Sequence, residues 1–210
     1  MLFRTSPEKF WNLIARKYAA SPIPDVDAYR KKIESLKSYL SSEDRVLDIG
    51  CGTGTQCDEL SGNVKHVIGI DISSKLLAIA EIRKGERGIE NVEFLQTTVF
   101  DKRFDSGSFS VITAFYVLHF HEDLDQVFQR IHELLKPGGL FVSETVCLGE
   151  NHRITGRIVR IAGILGFLPL INLLSNQQIE LALKKAGFSI VDKTMFSESN
   201  GEYTLIAKKQ

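Results

Sequence analysis

The period of the apolar positions changes along the chain, and the changes divide it. In the first forty residues the spacing is helical. Phe10, Ile14 and Tyr18 fall at i, i+4 and i+8 with Trp11 beside them, Thr5 or Ser6 can cap, and Pro7 suits a first turn. After a break at "SPIPD", Tyr29, Ile33, Leu36 and Leu40 form a second amphipathic stretch. From there strand-like and helix-like segments alternate. They run "RVLDIG", a helix after Gly54, "HVIGID", a helix from Ser73, "VEFLQ", an irregular stretch, "SFSVITAFYVL", a helix from about Glu122, and "GGLFVSETV". Short, continuously apolar strands separated by helices predict an α/β fold, a doubly wound parallel sheet covered on both faces. The end departs from that rhythm. After the helix containing "IELALKKAGF" come two strand-like segments, "FSIVDKTMF" and "YTLIAKK", and the Asn200-Gly201 turn signal between them predicts a terminal antiparallel hairpin.

One segment, "IVRIAGILGFLPLINLL" at residues 158 to 174, is more apolar than its neighbours. Arg160, two glycines and Pro169 interrupt it, and it falls short of the roughly 20 residues needed to span a bilayer. A lid or buried helical insert, a lipid-contacting surface and a dimer surface are the three readings it leaves. The expected organisation is a single domain over 1–210. Residues 1–40 form a helical cap, 41–148 and 175–210 the core, and 149–174 an apolar insert or lid.

Composition removes several functions. The chain has 26 Lys plus Arg against 26 Asp plus Glu, so no global field draws it to nucleic acid, and no nucleic-acid partner is expected. The N-terminus lacks the apolar core of a secretory signal, which predicts a cytoplasmic protein without an integral membrane segment. Cys51, Cys57 and Cys147 are few, odd in number and not spaced as metal pairs, so neither a metal site nor a disulfide framework is expected.

The densest signal is "VLDIGCGTGTQ", residues 46 to 56, where Gly50, Gly52 and Gly54 follow a buried strand. Such a turn brings bare backbone close to a ligand. Its spacing is G-x-G-x-G, with Thr55 where the dinucleotide fingerprint has its third glycine, and no Gly-Lys-Ser/Thr follows for a phosphate loop. Asp71 ends the second strand, where an acid can accept both hydroxyls of a ribose. Asp48, before the glycines, would repel a pyrophosphate and favour a cation. A cofactor with a ribose, a cationic head and no phosphate fits all three.

In this order, "VLDIGCGTG", "GIDIS", "SFSVITAFYVLHF" and "LLKPGGLFVSE" resemble the class I S-adenosylmethionine-dependent methyltransferases, over about residues 40 to 208. The N-terminal helices resemble the cap of small-molecule members. The resemblance implies a seven-stranded sheet of order 3-2-1-4-5-7-6 and S-adenosyl-L-methionine as cofactor. It also implies roles. Asp48, Gly50 and Gly52 would line the methionine end, with Cys51 in the same cofactor loop, Asp71 would hold the ribose and Ile72 would pack on the adenine. Thr98 stands where many relatives have an acid for the adenine amino group, a departure that leaves that bond to the Thr98 hydroxyl as acceptor or moves the adenine contact to the Val99 amide. Phe115 would offer its carbonyl to the cofactor's ammonium.

Methyl transfer from a sulfonium is an in-line displacement, and a base is needed only if the acceptor must lose a proton. Tyr116 on the end of the fourth strand, His119 and His121 just after it, Glu144 on the fifth and His152 in the insert are candidates. The crevice at the C-terminal ends of parallel strands favours Tyr116 and His119 as catalytic residues. Tyr18 and the Phe167 to Leu174 stretch are expected to face substrate. The absence of an Asn/Asp-Pro-Pro-Tyr/Phe motif shifts weight from nucleobases and glutamine amides to a small organic acceptor, and the apolar insert suggests a hydrophobic one. A cofactor-binding module without catalysis is the alternative. An NAD-dependent dehydrogenase is disfavoured by the glycine spacing.

Overall fold

The computed structural model describes residues 6–146, 153–165, 168–194 and 202–210. Two helices, α1 (Pro7–Ala20) and α2 (Val26–Lys37), precede an alternation of β1 (Arg45–Ile49), α3 (Thr55–Ser61), β2 (His66–Asp71), α4 (Ser74–Glu86), β3 (Val92–Gln96) and β4 (Phe109–Phe115). A 3₁₀ turn at Leu118–Phe120 leads to α5 (Leu124–Leu134), β5 (Leu135–Val146), α6 (Arg153–Ile164), α7 (Asn176–Lys185), β6 (Phe188–Thr194) and β7 (Glu202–Lys209). The starts are set by side-chain caps. Ser6, Asp25, Ser73 and Asp123 each accept an amide three residues on, and Ser175 with Gln178 forms a full capping box on α7.

The seven strands lie in the order β3-β2-β1-β4-β5-β7-β6. Neighbours are parallel except for β7, which runs antiparallel to both β5 and β6. Successive residues of each strand point to opposite faces, and both faces are covered. Leu47, Ile49, Ile70, Ile112 and Phe141 pack with α5 and α7 residues on one side, whereas Val46, Val67, Val111 and Val142 pack with Leu36, Leu60 and Ala80 on the other. This burial on two faces is what made the strands read as unbroken apolar runs.

Local departures from the sequence reading have local causes. The fourth strand stops at Phe115 instead of continuing to Leu118, because Tyr116 has φ +56° and the chain then tightens into the 3₁₀ turn. The fifth begins earlier, at Leu135, which pairs with Phe109 before a register shift. The Asn200-Gly201 turn, Phe167, His152 and Cys147 lie outside the described residues.

Helix α6 is built in reverse. Gly156 and Gly163 are buried while Ile158, Ile161, Ile164 and Leu165 are exposed. At 100° per residue, Ile158, Ile161 and Leu165 fall opposite the two glycines. No described helix is long and apolar enough to cross a membrane.

Candidate cofactor and substrate site

The glycine loop turns on three left-handed residues, Gly50 (φ +72°), Gly52 (φ +56°) and Gly54 (φ +74°). Two of them are glycine for different reasons. A Cβ on Gly54 would stand 2.6 Å from the Phe94 ring and 3.0 Å from Ala80, inside the core. One on Gly52 would meet only the Tyr18 ring, at 3.7 Å, and so faces a cleft.

The amides of residues 50, 51, 52 and 54 are engaged, three of them by the end of β2. Gly50 N and Cys51 N donate to the Ile70 carbonyl at 2.8 and 3.0 Å, and Gly54 N donates to the Cys51 carbonyl at 2.9 Å. Gly52 N donates to Asp71 Oδ2 at 3.0 Å, and Ser73 N donates to Asp71 Oδ1 at 2.8 Å. Each Asp71 oxygen thus accepts a backbone amide, and the Ile72 amide also lies against the carboxylate. Burial pushes the Asp71 carboxyl up, against the pull of these amide bonds.

Two chambers open at this edge of the sheet. The first, about 420 Å³, is lined by residues that include Gly50, Gly52, Asp71, Ile72, Thr98 and Val99, with Trp11 and Tyr18 of α1 and Leu170 of the insert over them. Among the described residues, no lysine or arginine lines it. The second, about 530 Å³, contains Asp48 and Cys51 together with Tyr29, Lys32, Arg83 and Glu144. Tyr18, Gly50, Phe115 and Tyr116 line both and mark where they join.

This donor set bears on the cofactor. A diphosphate needs free loop amides or cations, and the first chamber has neither to spare. A nucleoside with two vicinal hydroxyls needs the acceptor that Asp71 supplies. The residues therefore fit a phosphate-free nucleoside cofactor.

Asp48 sits beneath the loop. It shares the Val46 face of β1, and its carboxylate accepts Thr113 Oγ1 at 2.6 Å, Gln56 Nε2 at 3.1 Å and Cys57 Sγ at 3.3 Å. Burial nevertheless pushes its carboxyl up to about 6.

The cap is pinned by a residue the sequence reading missed. Asn12 Oδ1 accepts Ser73 Oγ at 2.8 Å and Lys75 N at 3.0 Å, so α1 is tied to the start of α4. Trp11 then packs edge-on against both Tyr18 and Phe120, each at 5.7 Å between ring centres. Tyr18 is pushed up by burial and by Asp71.

His119 lines the first chamber, and its Nδ1 is buried without a hydrogen-bond partner. Burial, with His121 adding, holds the imidazole down to about 4. It is neutral at neutral pH and a weak base. The insert grips this turn through Asn172, whose N donates to the His119 carbonyl at 2.7 Å and whose Nδ2 donates to that of His121.

The second chamber holds the other feature that was missed. Lys32 of α2 makes a buried ion pair with Glu144 of β5, and Thr204 Oγ1 donates to Glu144 Oε1 at 3.3 Å. The signal was present: Lys32 shares the apolar face of α2 with Tyr29, Ile33 and Leu36.

The family model described as "Methyltransferase domain" matches residues 40–190. The demethylmenaquinone methyltransferase of Lactococcus lactis is 38% identical over 51% of this chain and 42% of its own. A ubiquinone biosynthesis O-methyltransferase of Brucella anthropi is 29% identical over 71% of this chain and 61% of its own. The chain thus spans about two to three fifths of the length of these curated relatives. Solved structures share the fold at low identity. YcgJ of Bacillus subtilis superposes with TM-score 0.72 at 18% identity, covering 89% of this chain and 99% of that one. The [4+2]-cyclase SpnF gives TM-score 0.76 at 18% identity, over 96% and 94% of the two chains. Geranyl diphosphate methyltransferase, solved with GPP and sinefungin, gives 0.71 at 16%, over 86% and 78%. The glycine loop, the strand order and the family match agree, and the chain belongs to the class I S-adenosylmethionine-dependent methyltransferases.

Proposed function

We propose that this chain transfers the methyl group of S-adenosylmethionine to a small apolar acceptor in a pocket covered by α1 and the insert. The observation that carries the reading is the first chamber, which no described lysine or arginine lines, with Asp71 on its wall, opening at Tyr18, Gly50, Phe115 and Tyr116 into a second chamber. Asp71 would hold the ribose, while Ile72, Thr98 and Val99 would surround the adenine. Gly50, Cys51, Gly52 and the Phe115 carbonyl would border the methionine end, with Asp48 acting from below. The cofactor supplies an electrophilic methyl on sulfonium. The protein supplies position and exclusion of water, through Trp11, Tyr18, Phe120 and Leu170. Tyr116 stands at this junction, and His119 lines the first chamber. A neutral His119 can orient or receive a proton but is a poor base, so it acts as a positioning residue.

The relatives named for demethylmenaquinone and for ubiquinone biosynthesis support an apolar acceptor. The cyclase shows that the fold alone does not carry methyl transfer, so turnover is the test. Incubation with S-adenosylmethionine and a panel of apolar hydroxylated compounds should release S-adenosylhomocysteine. Tight cofactor binding with no release across the panel would leave a cofactor-binding module instead. A bridge replacing residues 154 to 172 should abolish release and spare cofactor affinity, and turnover that survives it would show that the insert is not the lid.

A second reading concerns α6. Its outward Ile158 and Ile161, with Leu165 just past its end, are 62%, 55% and 46% exposed, Arg157 and Arg160 lie along one side of them, and the helix holds no acid. That face suits an anionic lipid surface, from which an apolar acceptor would enter. Flotation with phosphatidylglycerol vesicles should carry the protein, and an Ile161→Ser/Leu165→Ser variant should stay behind.

A further inference from the structure

The sheet order arranges the site in a line. Asp71 ends β2, the glycine loop leaves β1, Phe115 ends β4, and Glu144 lies opposite Phe115 on β5. At about 4.8 Å per strand, the β2 and β5 ends stand roughly 14 Å apart. With a ribose on Asp71, the sulfonium end falls over Gly50 and Phe115, and the acceptor comes next, at β5.

What stands there is a charged pair in an aromatic box. Lys32 is 5% exposed and Glu144 2%. Lys32 Nζ lies 4.7 Å from the centre of the Phe115 ring, 5.1 Å from that of Tyr29 and 5.3 Å from that of Tyr116. One ammonium hydrogen serves Glu144 Oε2, and no other acceptor for Lys32 is found among the described residues. The Tyr29 hydroxyl, in the same chamber, is buried without a partner. A buried ion pair is a poor way to gain stability, since apolar residues of similar volume usually do as well or better. Its place on the wall of a ligand chamber, with unused donors, points to a ligand.

We propose that Lys32 and Glu144 form the acceptor subsite and select a flat, unsaturated compound carrying an acidic hydroxyl, a phenol or enol. This rests on the first chamber being the cofactor's. Ring faces of Tyr18, Tyr29, Phe115 and Tyr116 wall the flat body. The acceptor O–H proton passes to the Glu144 carboxylate, giving the carboxylic acid and an oxyanion, and the oxyanion stays on the Lys32 ammonium, which keeps its own protons. Lys32 and Glu144 thus set specificity for an ionisable oxygen, where the apolar wall alone would accept any ring.

The test uses the full chain saturated with S-adenosylhomocysteine and 4-nitrocatechol as probe, whose absorbance reports its ionisation. Bound probe should ionise at a pH lower by about one unit than free probe, as next to a cation. The variant Lys32→Met/Glu144→Gln removes both charges while keeping the packing. It should abolish that shift and weaken the probe roughly tenfold or more, the loss expected for a hydrogen bond to a charged group. Its melting temperature and its S-adenosylhomocysteine affinity should match the wild type. An unshifted probe, no probe binding to the wild-type complex, or the same shift in the double variant would overturn the proposal. Weakened S-adenosylhomocysteine binding in the double variant would also overturn it, because the pair would then hold the methionine end. If wild-type protein fails to bind S-adenosylhomocysteine at all, the cofactor reading itself falls.

Discussion

The two chambers are of similar size and share a border, yet they are assembled in opposite ways. The polar floor of the first is made by segments close in sequence, the glycine loop and the end of β2, whose backbone amides bond the Ile70 carbonyl and the Asp71 carboxylate, while α1 and the insert add apolar cover. The second is lined by Lys32 and Glu144, 112 residues apart, with Thr204, 60 residues further on, bonded to Glu144, so its polar groups depend on side chains brought together by the fold. A chamber written in local backbone can be recognised from a motif. One written in distant side chains appears only when the sheet is closed. The difference also predicts unequal fragility.

The largest effect should come from the second chamber. Lys32→Met alone leaves Glu144 buried and unpaired, and should cost about 3–5 kcal/mol in denaturant unfolding. Adding Glu144→Gln should recover most of it. If the single variant is as stable as wild type, the pair is not buried in solution as it is here.

Within the first chamber, two glycines of the same loop should separate. Gly54→Ala combines a left-handed backbone with a Cβ 2.6 Å from the Phe94 ring, so about 3 kcal/mol of stability should be lost. Gly52→Ala, open to the cleft, should cost about 1 kcal/mol of stability from the backbone alone and act mainly on cofactor affinity. Equal stability losses in the two would mean that the loop does not hold this conformation.

Much of the fold was legible, and the reason is physical. Strands buried on both faces read as apolar runs, Ser6 and Ser73 sit where their helices begin, and the glycine and acid signals of the first chamber lie within one βαβ unit. What escaped was long-range. Asn12 and Asn172 look like ordinary surface residues, and only docking of α1 on α4, and of the insert on the 3₁₀ turn, gives them their bonds. Tyr116 was legible as a residue of the crevice, but the φ of +56° that ends β4 there was not. Asp48 was legible as a loop acid, but its parity on β1, which directs it to Thr113 and Cys57, emerges only with the strand register.

Asp48 and His119 give the chambers opposite pH signatures. Asp48, pushed up to about 6, binds a proton more tightly folded than unfolded, so its contribution is complete in acid and is lost as pH rises through 6. His119, held down to about 4, resists protonation when folded, so its contribution is present above its ordinary range and is lost as pH falls toward 4. Each is about 3 kcal/mol by the free energy of a pKa shift, and between pH 4 and 6 they oppose. Asp48→Asn should therefore make stability rise more steeply with pH than in wild type, and His119→Gln should make it fall. Parallel pH profiles for wild type and both variants would show that neither group is buried as described.

The most direct measurement is calorimetric titration of S-adenosylhomocysteine into wild-type and Asp71→Ala protein, with NAD as a parallel ligand. Wild type should bind S-adenosylhomocysteine and not NAD. Asp71→Ala, folded by its melting curve, should lose about 1.5–3 kcal/mol of binding, the value of hydrogen bonds to a charged acceptor. Unchanged affinity in the variant, or NAD binding in the wild type, would contradict a phosphate-free nucleoside cofactor held at Asp71.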